Sequence, residues 1–261
     1  MILPDRQQRG LLLTLIAREF SGRYQGSAGG LLWAIGQPLF LLLIYTLAFG
    51  VVLQTRWTPE GDAREYALIL FAGLLVYNLF TECLKQASTL VTARPNFVKK
   101  IVFPLEILPW VMVGTAMLHA ALCVGVWLLG YLVLTGWPPL TGLAFPLVLL
   151  AFTPLLLGIG WLLAALGVFL RDIDQFCQML GHALLFATPI FYREDIIPAG
   201  LRWLMQVNPL TFIVSQSRQV LYQGQWPDWL GLLQYAVLAT LFALAARWLF
   251  RRLRPLFADQ V

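Results

Sequence analysis

Residues 93–104, Ala93-Arg94-Pro95-Asn96-Phe97-Val98-Lys99-Lys100-Ile101-Val102-Phe103-Pro104, form a short basic break between two long apolar runs, and the rest of the chain can be oriented from this break. Lys99 and Lys100 are two of only three lysines in the protein. Positive charge within about 15–20 residues of a membrane span marks the side that is not translocated, so the break reads as a cytosolic loop. Pro95 and Pro104 disfavour helix at the residue before each, which leaves room for about two turns of an isolated amphipathic helix on the membrane face.

The flanking runs point to one fold class, an all-α polytopic membrane protein. Hydrophobic residues make up 59% of the chain and charged residues 12%, at a mean hydropathy of +0.75. In 261 residues there is room for about six spans of ~20 residues, and no polar block is large enough for a separate soluble domain. The net charge of +5 is therefore a topology signal; nucleic-acid binding would need a basic soluble surface that the chain lacks. Cys83, Cys123 and Cys177 lie in or beside apolar runs and are expected to stay unpaired. The N-terminus has no cleavage site after a short apolar core and is expected to remain.

In residues 9–24 the apolar Leu12, Ile16, Phe20 and Tyr24 recur every fourth position, with Arg18 and Arg23 elsewhere. That stripe predicts a helix lying in the inner headgroup region; a membrane anchor and a moving gate fit it equally well. Six transmembrane helices are expected at 31–53, 66–90, 105–135, 140–170, 175–192 and 229–250. Residues 194–228 are broken by Pro198, Gly200, Arg202, Asn208-Pro209, Gln216 and Arg218. A full crossing there would carry Arg247, Arg251, Arg252 and Arg254 outside. We therefore read the segment as external, with two short helices that dip into the membrane and meet at Asn208 and Pro209. Both termini are then cytosolic, and 13 of the 18 basic residues fall inside.

Catalytic and metal-binding patterns are missing. His119 and His182 read as packed or hydrogen-bonded span residues, and without a Gly-Lys dipeptide there is no phosphate-binding P-loop, so the chain cannot hydrolyse nucleotide alone. Glu82 and Lys85 share a helical face, and a pair that reaches for the inner surface is expected ahead of a substrate contact. Trp33, Gln37, Tyr45 and Phe49 share the first span; core packing competes there with a role in lining a path.

Four segments carry a family resemblance over nearly the whole chain. They are Arg18-Glu19-Phe20-Ser21-Gly22-Arg23-Tyr24-Gln25-Gly26-Ser27 with Gly30-Leu31-Leu32-Trp33-Ala34 and Gln37-Pro38-Leu39; Asn96 to Pro109; Phe169-Leu170-Arg171-Asp172-Ile173; and Asn208-Pro209-Leu210-Thr211. Together they resemble the membrane subunits of ABC-2 type polysaccharide exporters, which carry O-antigen, capsule or teichoic-acid chains on lipid carriers. Leu105 departs from the pattern, which often has a basic residue there.

The resemblance implies a homodimer of six-span subunits in the bacterial inner membrane, bound to two copies of a P-loop ATP-binding subunit. ATP and Mg would sit on that partner, with no cofactor on this chain. It also implies that Arg94, Asn96, Phe97, Lys99 and Lys100, with Arg171 and Asp172, couple to the ATPase. Arg18, Arg23 and Tyr24 would form a gate near the lipid-pyrophosphate entrance, and Trp33, Gln37, Tyr45 and Phe49 would line the channel. The cargo class implied is lipid-linked polysaccharide, as in lipopolysaccharide biosynthesis. The alternatives are an ABC-2 permease for a small drug or lipid and, with less support, a membrane-embedded transferase acting on lipid-linked sugars.

Overall fold

The computed structural model describes residues 6–24, 30, 32–52, 57, 62–99, 103–170, 172–198, 200 and 202–260, and among these every regular element is helical. The order is α1 (Arg6–Tyr24), α2 (Leu32–Tyr45), α3 (Ala63–Ala87), α4 (Pro95–Lys99), α5 (Leu108–Leu134), α6 (Phe145–Phe169), α7 (Ile173–Ala187), α8 (Arg202–Val207), α9 (Pro209–Leu221), α10 (Trp229–Leu253) and α11 (Phe257–Gln260). Among the described residues four helical stretches are long and apolar enough to cross a bilayer: Arg64–Ala87, Leu105–Leu134, Leu140–Phe169 and Trp229–Leu256. The helices expected at 31–53 and 175–192 are shorter.

Local chemistry explains where the helices begin. Asp62 caps α3 by accepting from the Arg64 and Glu65 amides at 2.8 and 2.9 Å. Asp228 caps α10 through Gly231 N at 3.0 Å. Asn208 caps α9 through Leu210 N at 3.0 Å, and Pro209 supplies a first helical residue with no amide to satisfy. The first apolar run departs from the single helix expected. Its α-helix ends at Tyr45 and continues as a π-helical turn, Thr46–Val52. The Thr46 hydroxyl donates to Leu42 O at 2.7 Å at this junction, a back-bond that competes with the regular ladder.

At the centre stands α3, buried along nearly all its length and packed by α5, α6, α7 and α9. Its polar neighbours are satisfied: Trp127 Nε1 donates to Leu68 O at 2.9 Å, and Tyr77 OH to Gly181 O at 2.8 Å. In contrast α2 and α10 present long apolar faces outward, as a helix does when it meets lipid or another subunit.

The connections gather at two ends. One end is basic and holds the α3–α5 connection, the α6–α7 turn and the C-terminus; here Ser88 Oγ donates to Asp174 Oδ1 at 2.8 Å, and Phe169 and Phe250 meet Phe257. The opposite end holds the α5–α6 turn and the α7–α10 segment, joined by Thr141 Oγ1 to Val220 O at 2.8 Å and Tyr66 OH to Phe191 O at 2.7 Å. Helix α1 crosses α5 near the basic end, where Ile16 lies so close to Gly114 that a Cβ there would collide with it.

Candidate functional site

The stripe on α1 turns Leu12, Leu15, Ile16, Glu19 and Phe20 partly inward, and its arginines flank a cavity of about 580 Å³ between α1, the end of α3 and α4. Arg18, Glu19, Arg23, Gln86, Arg94 and Phe97 line it. Arg94 Nη2 donates to Glu19 Oε1 at 2.9 Å and Nη1 to Leu90 O at 3.1 Å, tying the break before α4 to α1. Arg23 pairs with Glu82 on α3, and Gln86 Nε2 reaches the same carboxylate oxygen at 3.4 Å. The sequence pairs Glu82 with Lys85; the structure corrects this, because α1 brings a guanidinium to the carboxylate from 59 residues away. Two of the three guanidiniums around this cavity are paired with carboxylates, Arg94 with Glu19 and Arg23 with Glu82, so the lining keeps a modest positive balance that suits a phosphate or carboxylate. The side chain of Tyr24 lies outside the described residues.

Deeper in the bundle, a second cleft of about 280 Å³ separates α2 from α3 and α5, with Gln37, Asn78, Glu82, Lys85 and His119 on its walls. Asn78, Glu82 and Lys85 follow at spacings of four and three, one polar face on an otherwise apolar helix. An ionisable group at that depth is costly unless it faces water, protein or a ligand. His182 stands elsewhere and bonds through Nδ1 to Gln178 O at 2.8 Å.

The structure places the expected coupling residues in different surroundings. Asn96 is exposed, Phe97 stacks on Phe103 with ring centroids 4.4 Å apart, and Asp172 is exposed at the start of α7. Arg94 is engaged by α1 as described. The side chain of Lys99, and Lys100 and Arg171 entirely, lie outside the described residues. Of the expected channel residues, Trp33 is 60% exposed, Gln37 lines the cleft and Tyr45 is half-buried, while the Phe49 side chain lies outside the described residues.

Two polar constellations were not singled out by the sequence. At the basic end, Glu106 Oε2 accepts from Arg247 Nε at 3.1 Å, Arg247 Nη2 at 2.8 Å and Arg251 Nε at 2.9 Å, and Arg254 Nη2 donates to Phe103 O at 3.3 Å. This bolts the residues following α4 to the end of α10. One acid at the mouth of a long apolar run, with an arginine-rich tail still unassigned, was the available signal. At the opposite end, Arg218 is 5% exposed. It donates to Pro189 O and Ile190 O, each at 2.6 Å, and to Ile69 O at 3.3 Å, with the Trp57 ring 4.5 Å from its guanidinium carbon. The sequence places Arg218 in the external segment of short dipping helices; the structure makes it an interior anchor. Gly73 makes room for it, since a Cβ there would stand 3.0 Å from Arg218 Nη2.

Nearby Asn208 Nδ2 donates to Ala187 O at 3.1 Å and Thr188 Oγ1 at 2.8 Å, so the junction of α8 and α9 is held against the end of α7. Tyr222, at the end of α9, has its hydroxyl pushed well above the ordinary tyrosine range by burial first, then by the charges of Glu65, Tyr131 and Asp62. Among the described residues no group of three or more His, Cys, Asp or Glu side chains is placed to hold a metal ion.

The family described as ABC-2 type transporter matches residues 10–222. An O-antigen export system permease protein RfbA of Myxococcus xanthus is 27% identical over 257 residues, covering 98% of this chain and 96% of the relative. Two proteins of the same name from Klebsiella pneumoniae are similar at 27% over 82% of this chain and 81% of the relative, and at 24% over 95% and 94%.

Proposed function

Because the chain belongs to the ABC-2 type transporter family, we propose that it is the membrane subunit of an ATP-driven exporter that moves lipid-linked, O-antigen-like polysaccharide from the cytosolic to the external face of the bacterial inner membrane. The observation that carries this reading is the arginine-lined cavity of about 580 Å³ between α1 and α4, which opens at the basic end. A lipid-linked glycan carries a phosphate that such a lining suits, and its sugar needs polar walls beyond. The cleft of Gln37, Asn78 and His119 supplies polar groups of that kind. A small apolar drug would gain little from either.

In this reading two copies of the chain, each crossing six times with both termini cytosolic, enclose the path. Two ATP-binding subunits press on α4. The Arg94–Glu19 pair passes that motion to α1 and the Glu106 cluster passes it to α10. A sliding polymer requires many shallow contacts, and the exposed Trp33 on α2 suits such a contact.

The test is the chemical identity of what accumulates when the chain is deleted. Lipid-linked glycan trapped on the inner leaflet, together with a P-loop ATPase that co-purifies with the native chain, is the expected result. Normal surface glycan in the deletion strain would overturn the reading.

A further inference from the structure

At the end opposite the arginine-lined cavity lies a further hollow of about 560 Å³, enclosed by the start of α3, the turn after α7 and one face of α9. Its walls are fixed from separate segments. Arg193 grips Asp195 through Nε at 3.0 Å and Nη2 at 2.7 Å and donates from Nη1 to Trp57 O at 3.1 Å, while the guanidinium carbon of Arg218 stands 4.5 Å from the Trp57 ring centroid. Arg218 spends its donors on three backbone carbonyls. Both arginines of the lining are thus committed, and neither is offered to a solute as an anion receptor.

What faces the hollow is a set of acceptors and amides: the carboxylates of Glu65 and Glu194, the Ser215 hydroxyl and the side chains of Gln223 and Gln225, beside the rings of Trp57 and Tyr222. Ser215 departs from a local habit. Hydroxyls within the long helices turn back on the carbonyl four residues earlier, as Thr115 does to Val111 O at 2.8 Å, Thr153 to Leu149 O at 2.8 Å and Ser217 to Ile213 O at 2.7 Å. Ser215 has no hydrogen-bond partner among the described residues and opens into the hollow, on the same face of α9 as Arg218 and Tyr222.

We propose that this hollow is a saccharide-binding site at the external end, which takes a sugar of the exported glycan through its hydroxyls. The proposal rests on the export function above and adds a site on the far side of the membrane from the basic cavity. Sugar hydroxyls donate to the two carboxylates, and bonds to an ionised acceptor are about twice as strong as neutral ones. Ser215 and the two glutamines both donate and accept, which matches hydroxyls in either role. The apolar face of a sugar ring lies against the aromatic rings. A phosphate would meet carboxylates and no available guanidinium. An amine would satisfy the carboxylates and leave Ser215 and both glutamines unmatched. Walls held in place by Arg193 and Arg218 before a ligand arrives lower the ordering cost of binding.

The site is tested by saturation-transfer NMR on the purified full-length chain in detergent, with the oligosaccharide released by mild acid from the surface glycan of the source strain as the probe. Weak, saturable binding is the expected result. Glu194→Gln and Gln223→Ala, both at exposed positions, should each weaken it about five- to ten-fold with thermal unfolding unchanged. Ser215→Phe, which fills the hollow, should abolish it. No saturable signal from the native chain, or a signal that all three variants leave unchanged, overturns the site. Ethanolamine binding that these variants abolish, with no oligosaccharide signal, also overturns it and makes the hollow a receptor for amines.

Surface glycan followed in a deletion strain separates this proposal from the reading beneath it. Glycan lost from the surface, together with no oligosaccharide binding, overturns the site and leaves the export function standing. Normal surface glycan without the chain overturns the export function itself.

Discussion

Arg218 and the carboxylate-paired arginines of the basic end are held in opposite ways. Arg218 is buried, and its donors end on the backbone carbonyls of Ile69, Pro189 and Ile190. At the basic end Arg23, Arg94, Arg247 and Arg251 each have a carboxylate partner, with Arg94 also donating to Leu90 O, and keep between 13% and 57% of their side-chain surface exposed. Carbonyls fixed in α3 and in the turn after α7 cannot be exchanged for a ligand, so Arg218 is a rivet. A carboxylate on a side chain can be displaced by another anion, so the basic end is built from contacts that can trade partners. Residue type alone does not distinguish a fixed charge from an exchangeable one; the acceptor does.

The sharpest way to break this contrast is Arg218→Met, which keeps the length and removes the donors. Three buried carbonyls then lose a partner, and we expect a loss of about 3 kcal/mol in denaturant unfolding of the detergent-solubilised protein. Arg218→Lys should recover part of it. Equal stability in all three proteins would remove the rivet.

A smaller effect is expected for Glu106→Gln. Arg247 and Arg251 lose their shared acceptor, but Arg251 is 57% exposed and water takes the place of the carboxylate there. The cost should be about 1 kcal/mol, seen in the same unfolding measurement. ATP turnover by the assembled transporter should meanwhile continue with less glycan exported; unchanged export per ATP would show that the cluster transmits nothing.

Smallest in stability is Trp33→Ala, at 60% exposure. It should stay within about 0.5 kcal/mol of the parent while glycan export falls. Export at the parent level would remove Trp33 from the path.

Much of the architecture was legible because hydropathy and capping are local. The apolar runs that became α3, α5, α6 and α10, the α1 stripe, and the two short helices meeting at Asn208 and Pro209 could all be read from consecutive residues. The candidate site was legible only in part. The places of Arg18, Arg23, Arg94 and Gln37 on cavity walls depend on packing, and so does the partner of Glu82, because Lys85 is close in sequence and Arg23 is close in space. The burial of Arg218 was missed because a charge in a Pro- and Gly-broken segment looks like any solvent-facing loop charge. The π-helical turn after Tyr45 left no periodicity signal in a run of continuous apolar residues.

By itself the sequence determined that this chain is a helical membrane protein with a basic end and a family-like order of motifs, since each of these depends on composition or on neighbours along the chain. Only the tertiary structure decided which charges face one another: Arg23 with Glu82, Arg94 with Glu19, Glu106 with Arg247 and Arg251, Arg218 with three carbonyls. An ion pair is specified by separation in space, and packing brings together helices that lie 59 to 145 residues apart.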